Sequence, residues 1–114
     1  MTLQEFKQKL SSQPQNVEFT EVMNIIENLY TFTPASFKNG ELTNNSDQNN
    51  GSCKLFAFAK DQEFSKEETL SCFGAYYRDD VLKHPDAADH QNIRNFMKFG
   101  WDGVKFTDNP LQKK

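Results

Sequence analysis

Apolar residues at Leu3, Phe6 and Leu10 recur three and four apart, a spacing that predicts a first amphipathic helix. Thr2 and Glu5 stand at its start in capping-box spacing, and Pro14 interrupts the pattern. Phe19, Val22, Met23, Ile26, Leu29 and Tyr30 form a second stripe, with Glu21, Asn24 and Asn28 opposite, and predict a second helix. "TFTP" ends it, because the residue before a proline is pushed out of helical conformation. From Phe37 the period changes. Asn39-Gly40 signals a tight turn, and "CKLFAFAK" alternates Cys53, Leu55, Ala57 and Ala59 against Lys54, Phe56, Phe58 and Lys60. Phe56 and Phe58 make the second face apolar too, which predicts a central strand covered on both sides. The polar run "TNNSDQNNGS" before it reads as a surface connection feeding that strand.

Ser65 with Glu68 repeats the capping-box spacing and opens a helix through Leu70, Phe73, Tyr77 and Val81. Gly74 lies beside that stripe, as a close approach to another element requires; Cys72 is expected on the other side, with Tyr76 one turn on. Pro85 ends the segment. Asp89 is the expected N-cap of a last helix, with Ile93, Phe96 and Met97 facing the core and Gly100 stopping it. "WDGVKF" predicts a turn and a short strand pairing with the central one, while "NPLQKK" is expected to fray. The sum is α+β: one domain over residues 1–114, a small antiparallel sheet of about three strands against about four helices, with 110–114 a frayed tail.

Composition narrows the function classes. Eleven Phe, three Tyr and one Trp in 114 residues supply a core that needs neither disulfide nor structural metal. Thirteen Lys and Arg against sixteen Asp and Glu leave a net charge of −3, and no basic stripe stands out, so no nucleic-acid partner is expected. The longest apolar run, Leu55 to Ala59, is too short to cross a membrane. Cys53 and Cys72 fit no metal spacing and predict two reduced thiols, as in the cytoplasm. No cofactor is implied.

"YTFTPASFKNG", "NGSCKLFAFAK", "TLSCFGAYYRDDVLKHP" and "DHQNIRNFMKFGWDGVKF" resemble the HopJ type III effector family from about Phe19 to Phe106. The resemblance implies a bacterial protein related to one that a type III secretion system delivers into a host cell. It implies no particular enzymatic activity. The expectation is a monomeric binding or interaction protein of the bacterial cytoplasm, or of the host cell after delivery, whose partner is a host or bacterial protein or a small ligand.

The last helix carries the candidate chemistry. His90 and Arg94 share one border of its apolar face and Asn92 takes the other. With Asp89, and with Tyr77 and Arg78 on the preceding helix, these side chains form a hydrogen-bonding set suited to an anionic or amide-bearing ligand at a helix N-terminus. The plainer reading is a structural polar network in which Asp89 caps and Arg94 pairs with Asp79 or Asp80. A small enzyme using this region is the alternative. Its sharpest form is a thiol hydrolase with Cys53 or Cys72 as nucleophile and His90 as base, but neither cysteine has a local nucleophile signature. A metal site from His84, Asp86, Asp89 and His90 would have to span Pro85 and an Ala-Ala turn, a spacing better suited to caps.

Overall fold

The structure, a computed structural model, describes residues 1–114. Helix α1 (Leu3–Ser12) starts at the Thr2/Glu5 capping box and buries Phe6 and Leu10. A short 3₁₀ turn at Pro14–Asn16 leads to α2 (Phe19–Leu29), which buries Val22, Ile25 and Ile26. Strand β1 (Tyr30–Phe32) follows at once, and β2 (Phe37–Asn39) and β3 (Leu42–Asn44) form a hairpin pairing Asn39 with Leu42 and Phe37 with Asn44. Its turn needs Gly40: φ is 63°, and a Cβ there would sit 2.2 Å from the Phe99 ring.

The segment expected to be the central strand is a helix. Residues Asn50–Asp61 form α3, with Cys53, Leu55, Phe56, Ala57, Phe58 and Ala59 all buried. An apolar run covered on every side satisfies a buried helix as well as a buried strand, so alternation over eight residues does not discriminate. Length and composition do: twelve residues are twice an ordinary strand, and two alanines and two lysines favour helix. This helix is the middle of the protein. Phe56 meets the rings of Phe37, Phe73, Phe96 and Trp101, and Phe58 those of Phe6, Tyr30 and Phe64.

Helix α4 (Lys66–Ser71) begins at the Ser65/Glu68 capping box but stops well before Val81. Gly74, at φ 62°, breaks it, and a Cβ there would lie 2.9 Å from the Phe19 backbone nitrogen. Cys72 is buried in the core rather than set apart from it. The chain resumes as a π-helical turn, Tyr76–Val81, and then α5 (Gln91–Phe99) stops at Gly100 as expected. A 3₁₀ turn at Gly100–Gly103 leads into β4 (Val104–Phe106). With the central strand gone, β4 pairs with β2, giving a three-stranded antiparallel sheet β3-β2-β4.

The tail does not fray. Residues Leu111–Lys113 form β5, antiparallel to β1 with Leu111 opposite Phe32, and Leu111 is buried. The α+β class stands, with two small sheets in place of one and α3 between the helical layer and both sheets.

Candidate functional site

The six candidate side chains divide into five groups. Tyr77 packs against the core. Arg78 turns toward the α1–α2 connection, where its Nη1 donates to the Val17 carbonyl at 2.8 Å and Nη2 lies 3.7 Å from Glu18. Asp89 does not cap α5; its carboxylate takes Arg94 Nη2 at 2.8 Å, while Arg94 also donates to the carbonyls of Asp89 (2.6 Å) and Pro85 (3.2 Å). The Arg94 hydrogen bond holds the Asp89 carboxyl below the usual carboxylate range. This is a closed clamp on the entry to α5.

His90 occupies the N-cap position, in left-handed conformation at φ 50°. Its Nε2 lies 3.1 Å from Asp80 and 3.9 Å from Asp89, and its ring stands 5.3 Å from that of Tyr76. The side chains of His90 and Arg94 therefore meet through Asp89, while the Arg94 backbone N–H donates to the His90 carbonyl at 3.1 Å.

Asn92 leads to residues that the sequence reading left in a loop. Asn92 and Asn44 face each other as a reciprocal amide pair: Nδ2 of each donates to Oδ1 of the other, at 3.0 and 3.1 Å. Asn39 Nδ2 donates to the Asn92 Oδ1 at 3.1 Å and to its backbone carbonyl at 2.6 Å, and Asn49 Nδ2 donates to Asn44 Oδ1 at 2.7 Å. Asn39 and Asn44 are 0 % exposed and Asn92 is 6 % exposed. Donation to the Asn92 carbonyl fixes the orientation of the Asn39 amide and leaves its Oδ1 buried without a partner. The crowding of asparagines between Asn39 and Asn50 was the visible signal. "TNNSDQNNGS" is only in part a surface loop: Asn44 ends β3 inside the protein and Asn49 stands at the N-cap of α3.

Of the six candidates only His90 and Asn92 line one cleft, of about 490 Å³, and Asn49 lines it with them. Asn49, Gly51 and Ser52 from the start of α3, and His90, Gln91 and Asn92 from the start of α5, supply its polar lining. Phe19, Phe73 and Tyr76 supply an aromatic wall, with Phe19 5.4 Å from Tyr76 edge-on and 6.3 Å from Phe73 stacked. Asn49 and His90 are both left-handed, at φ 53° and 50°, and no side chain caps either helix. The first N–H groups of a helix have no intrahelical partner, so both helices present free donors here.

Nucleophilic sulfur is absent from this site. Burial raises the Cys53 thiol above its ordinary value and pushes Cys72 up to about 12, which keeps both protonated at neutral pH. His84, Asp86, Asp89 and His90 do not gather into a group of three metal-ligating side chains. No helix is long and apolar enough to cross a membrane.

The HopJ type III effector protein family matches residues 3–111. The chain belongs to that family. The HopJ domain also matches the crystal structure of VPA0580, a protein of unknown function, with 52 % identity and a TM-score of 0.98, covering 100 % of this chain and 95 % of that one. No curated protein matches it.

Proposed function

We propose that this HopJ protein is a binding protein whose ligand enters the cleft between the N-termini of α3 and α5. One observation carries the reading: two uncapped, left-handed helix starts line the same cleft, opposite an aromatic wall. The Tyr76–Val81 turn that supplies part of this wall is π-helical, a distortion frequent at functional sites. Family membership supports a type III effector role, in which binding takes place inside the bacterium or in the cell that receives the protein.

The test is a screen of neutral and charged fragments by two-dimensional amide NMR. Hits should shift the N–H signals of Gly51, Ser52, Gln91 and Asn92. Gln91→Trp, at an exposed position on the cleft rim, should erase those shifts and leave the melting temperature unchanged. Hits that scatter over the surface, or persist in Gln91→Trp, would sink the reading.

His90 supports a second reading, a small enzyme. Its Nε2 is oriented by Asp80 at 3.1 Å beside the cleft, the arrangement of a general base. Turnover of a bound substrate that disappears in His90→Gln while binding persists would select it.

A further inference from the structure

We infer that Asn50 is a site of spontaneous deamidation, a covalent change that rebuilds the start of α3 where it borders the cleft. The inference does not depend on what the cleft binds.

The sequence contains two Asn-Gly pairs, Asn39-Gly40 and Asn50-Gly51. In such a pair the glycine nitrogen can attack the preceding carboxamide, because no side chain shields it. A bond forms between the glycine nitrogen and the asparagine Cγ, and the Cγ–Nδ2 bond breaks. Ammonia leaves, carrying the glycine N–H proton. The succinimide so formed takes up one water at either carbonyl and opens to aspartate or isoaspartate. The reaction needs water as its only co-reactant, a free glycine N–H and a carboxamide able to turn toward it.

The fold closes the first pair and leaves the second open. Asn39 is 0 % exposed, its Nδ2 donates to the Asn92 carbonyl at 2.6 Å, and the Gly40 N–H donates to the Gly103 carbonyl at 2.9 Å. Both reacting groups are held there, away from water. Asn50 is the first residue of α3, and both it and Gly51 are half-buried. The Gly51 N–H lies in the first helical turn and has no hydrogen-bond partner. The Asn50 side chain is tied only to Asp47, where Nδ2 donates to Oδ1 at 2.9 Å, and Asp47 stands exposed in a turn at φ 70°. Helical backbone keeps the Gly51 nitrogen turned from the carboxamide, so attack waits on fraying of this turn. A helix end opens at far smaller cost than a buried hairpin.

Position 50 joins two residues that line the cleft, Asn49 and Gly51. Isoaspartate would lengthen the backbone between them by a methylene. Asn49 is tethered to Asn44 Oδ1 at 2.7 Å, and a Cβ on Gly51 would lie 3.1 Å from the tip of the Phe19 ring, so neither side has slack to absorb it. Either product also puts a carboxylate where Asn50 donated to Asp47, which replaces a hydrogen bond by repulsion. Deamidation thus displaces the α3 wall of the cleft.

The experiment incubates the full chain in mildly alkaline buffer, folded and in guanidinium chloride, and maps every asparagine by proteolysis and mass spectrometry. In denaturant both Asn-Gly pairs should convert at similar rates. In the folded chain Asn50 should convert at least about tenfold faster than Asn39, because its turn opens more readily, and faster than the exposed Asn45. Gly51→Ala should slow position 50 to the rate of Asn45 or below. The converted protein should show displaced N–H signals for Gly51 and Ser52 and for the Asn49 side-chain amide. Asn50 lasting as long as Asn39 in the folded chain, while both convert in denaturant, would overturn the inference. So would Asn45 converting ahead of Asn50, or an unchanged rate in Gly51→Ala. Conversion that leaves those N–H signals in place would overturn the effect on the cleft.

Discussion

Replacing Asn44 by aspartate changes one atom of the buried amide pair from nitrogen to oxygen at nearly constant volume. In the native protein Asn44 Nδ2 donates to Asn92 Oδ1 at 3.1 Å, and Asn44 Oδ1 accepts from Asn92 and Asn49 at 3.0 and 2.7 Å. In Asn44→Asp the accepting oxygen keeps both donors. The other oxygen faces Asn92 Oδ1, and only a protonated carboxyl restores the missing hydrogen bond. Burial at 0 % exposure and the opposed oxygen both favour the neutral form, against two donors that favour the charged one. Burial should win, because fully buried carboxyls are raised by as much as 3–5 units.

A rise of about two units above the unfolded value near 4 corresponds to about 2.7 kcal/mol. The sign follows from linkage. Below the unfolded value both states bind the proton and the variant carries little penalty. As pH rises toward the folded value the unfolded state ionises first, and the deficit grows by about 1.4 kcal/mol per unit until it levels off. Urea melts of wild type and Asn44→Asp at pH 4, 5, 6 and 7 should show a small difference at pH 4 and the full difference by pH 7. Subtracting wild type at each pH removes the titration of the remaining carboxylates. A difference constant to within about 0.5 kcal/mol across that range would refute the reciprocal amide pair, since a shape defect alone does not titrate.

Arg94→Ala should cost about 2 kcal/mol in a urea melt, because the 13 % exposed side chain ties Asp89 and Pro85 to the start of α5 through three hydrogen bonds. Asp89→Ala should cost less, since the arginine keeps both carbonyls; losses that are additive in the double variant would deny their coupling. The Asp89 carboxyl lies below its ordinary range, so its contribution is present at neutral pH and fades as acid protonates it; the Arg94→Ala penalty should shrink below about pH 4. Removing residues 110–114 should lower stability by at least about 2 kcal/mol, the burial of Leu111 plus the β1–β5 pairing, and a truncated chain melting like wild type would restore the frayed tail. Thermal melts with and without reductant should coincide, and a thiol reagent should leave Cys53 and Cys72 untouched until the protein unfolds.

Local signals in this sequence were reliable where one chemical rule decides the backbone. Thr2/Glu5 and Ser65/Glu68 became capping boxes, and Gly74 sits within 2.9 Å of the Phe19 nitrogen, as its place beside an apolar stripe required. Signals failed where the deciding partner lies far along the chain. Whether residues 53–60 are strand or helix depends on what covers them, and here Phe37, Phe73 and Phe96 surround Phe56 on every side. Leu111 looks like tail until β1, some eighty residues earlier, offers it an edge. The site failed in the same manner. Helical geometry isolates His90, Asn92 and Arg94 correctly, yet Asp89 and Arg94 close on themselves while Asn92 reaches Asn39 and Asn44 across 53 and 48 positions. An asparagine-rich stretch before an apolar run thus has two physical solutions. Hydrated, its amides turn a loop; paired with a distant amide that satisfies them, they can be buried. This protein uses both within twelve residues, exposing Asn45 and burying Asn39 and Asn44. The buried pair then holds Asn92 and Asn49, which line the cleft, against the β2–β3 hairpin. Polar residues that read as surface in the sequence are therefore what orients the Asn49 and Asn92 amides at the cleft.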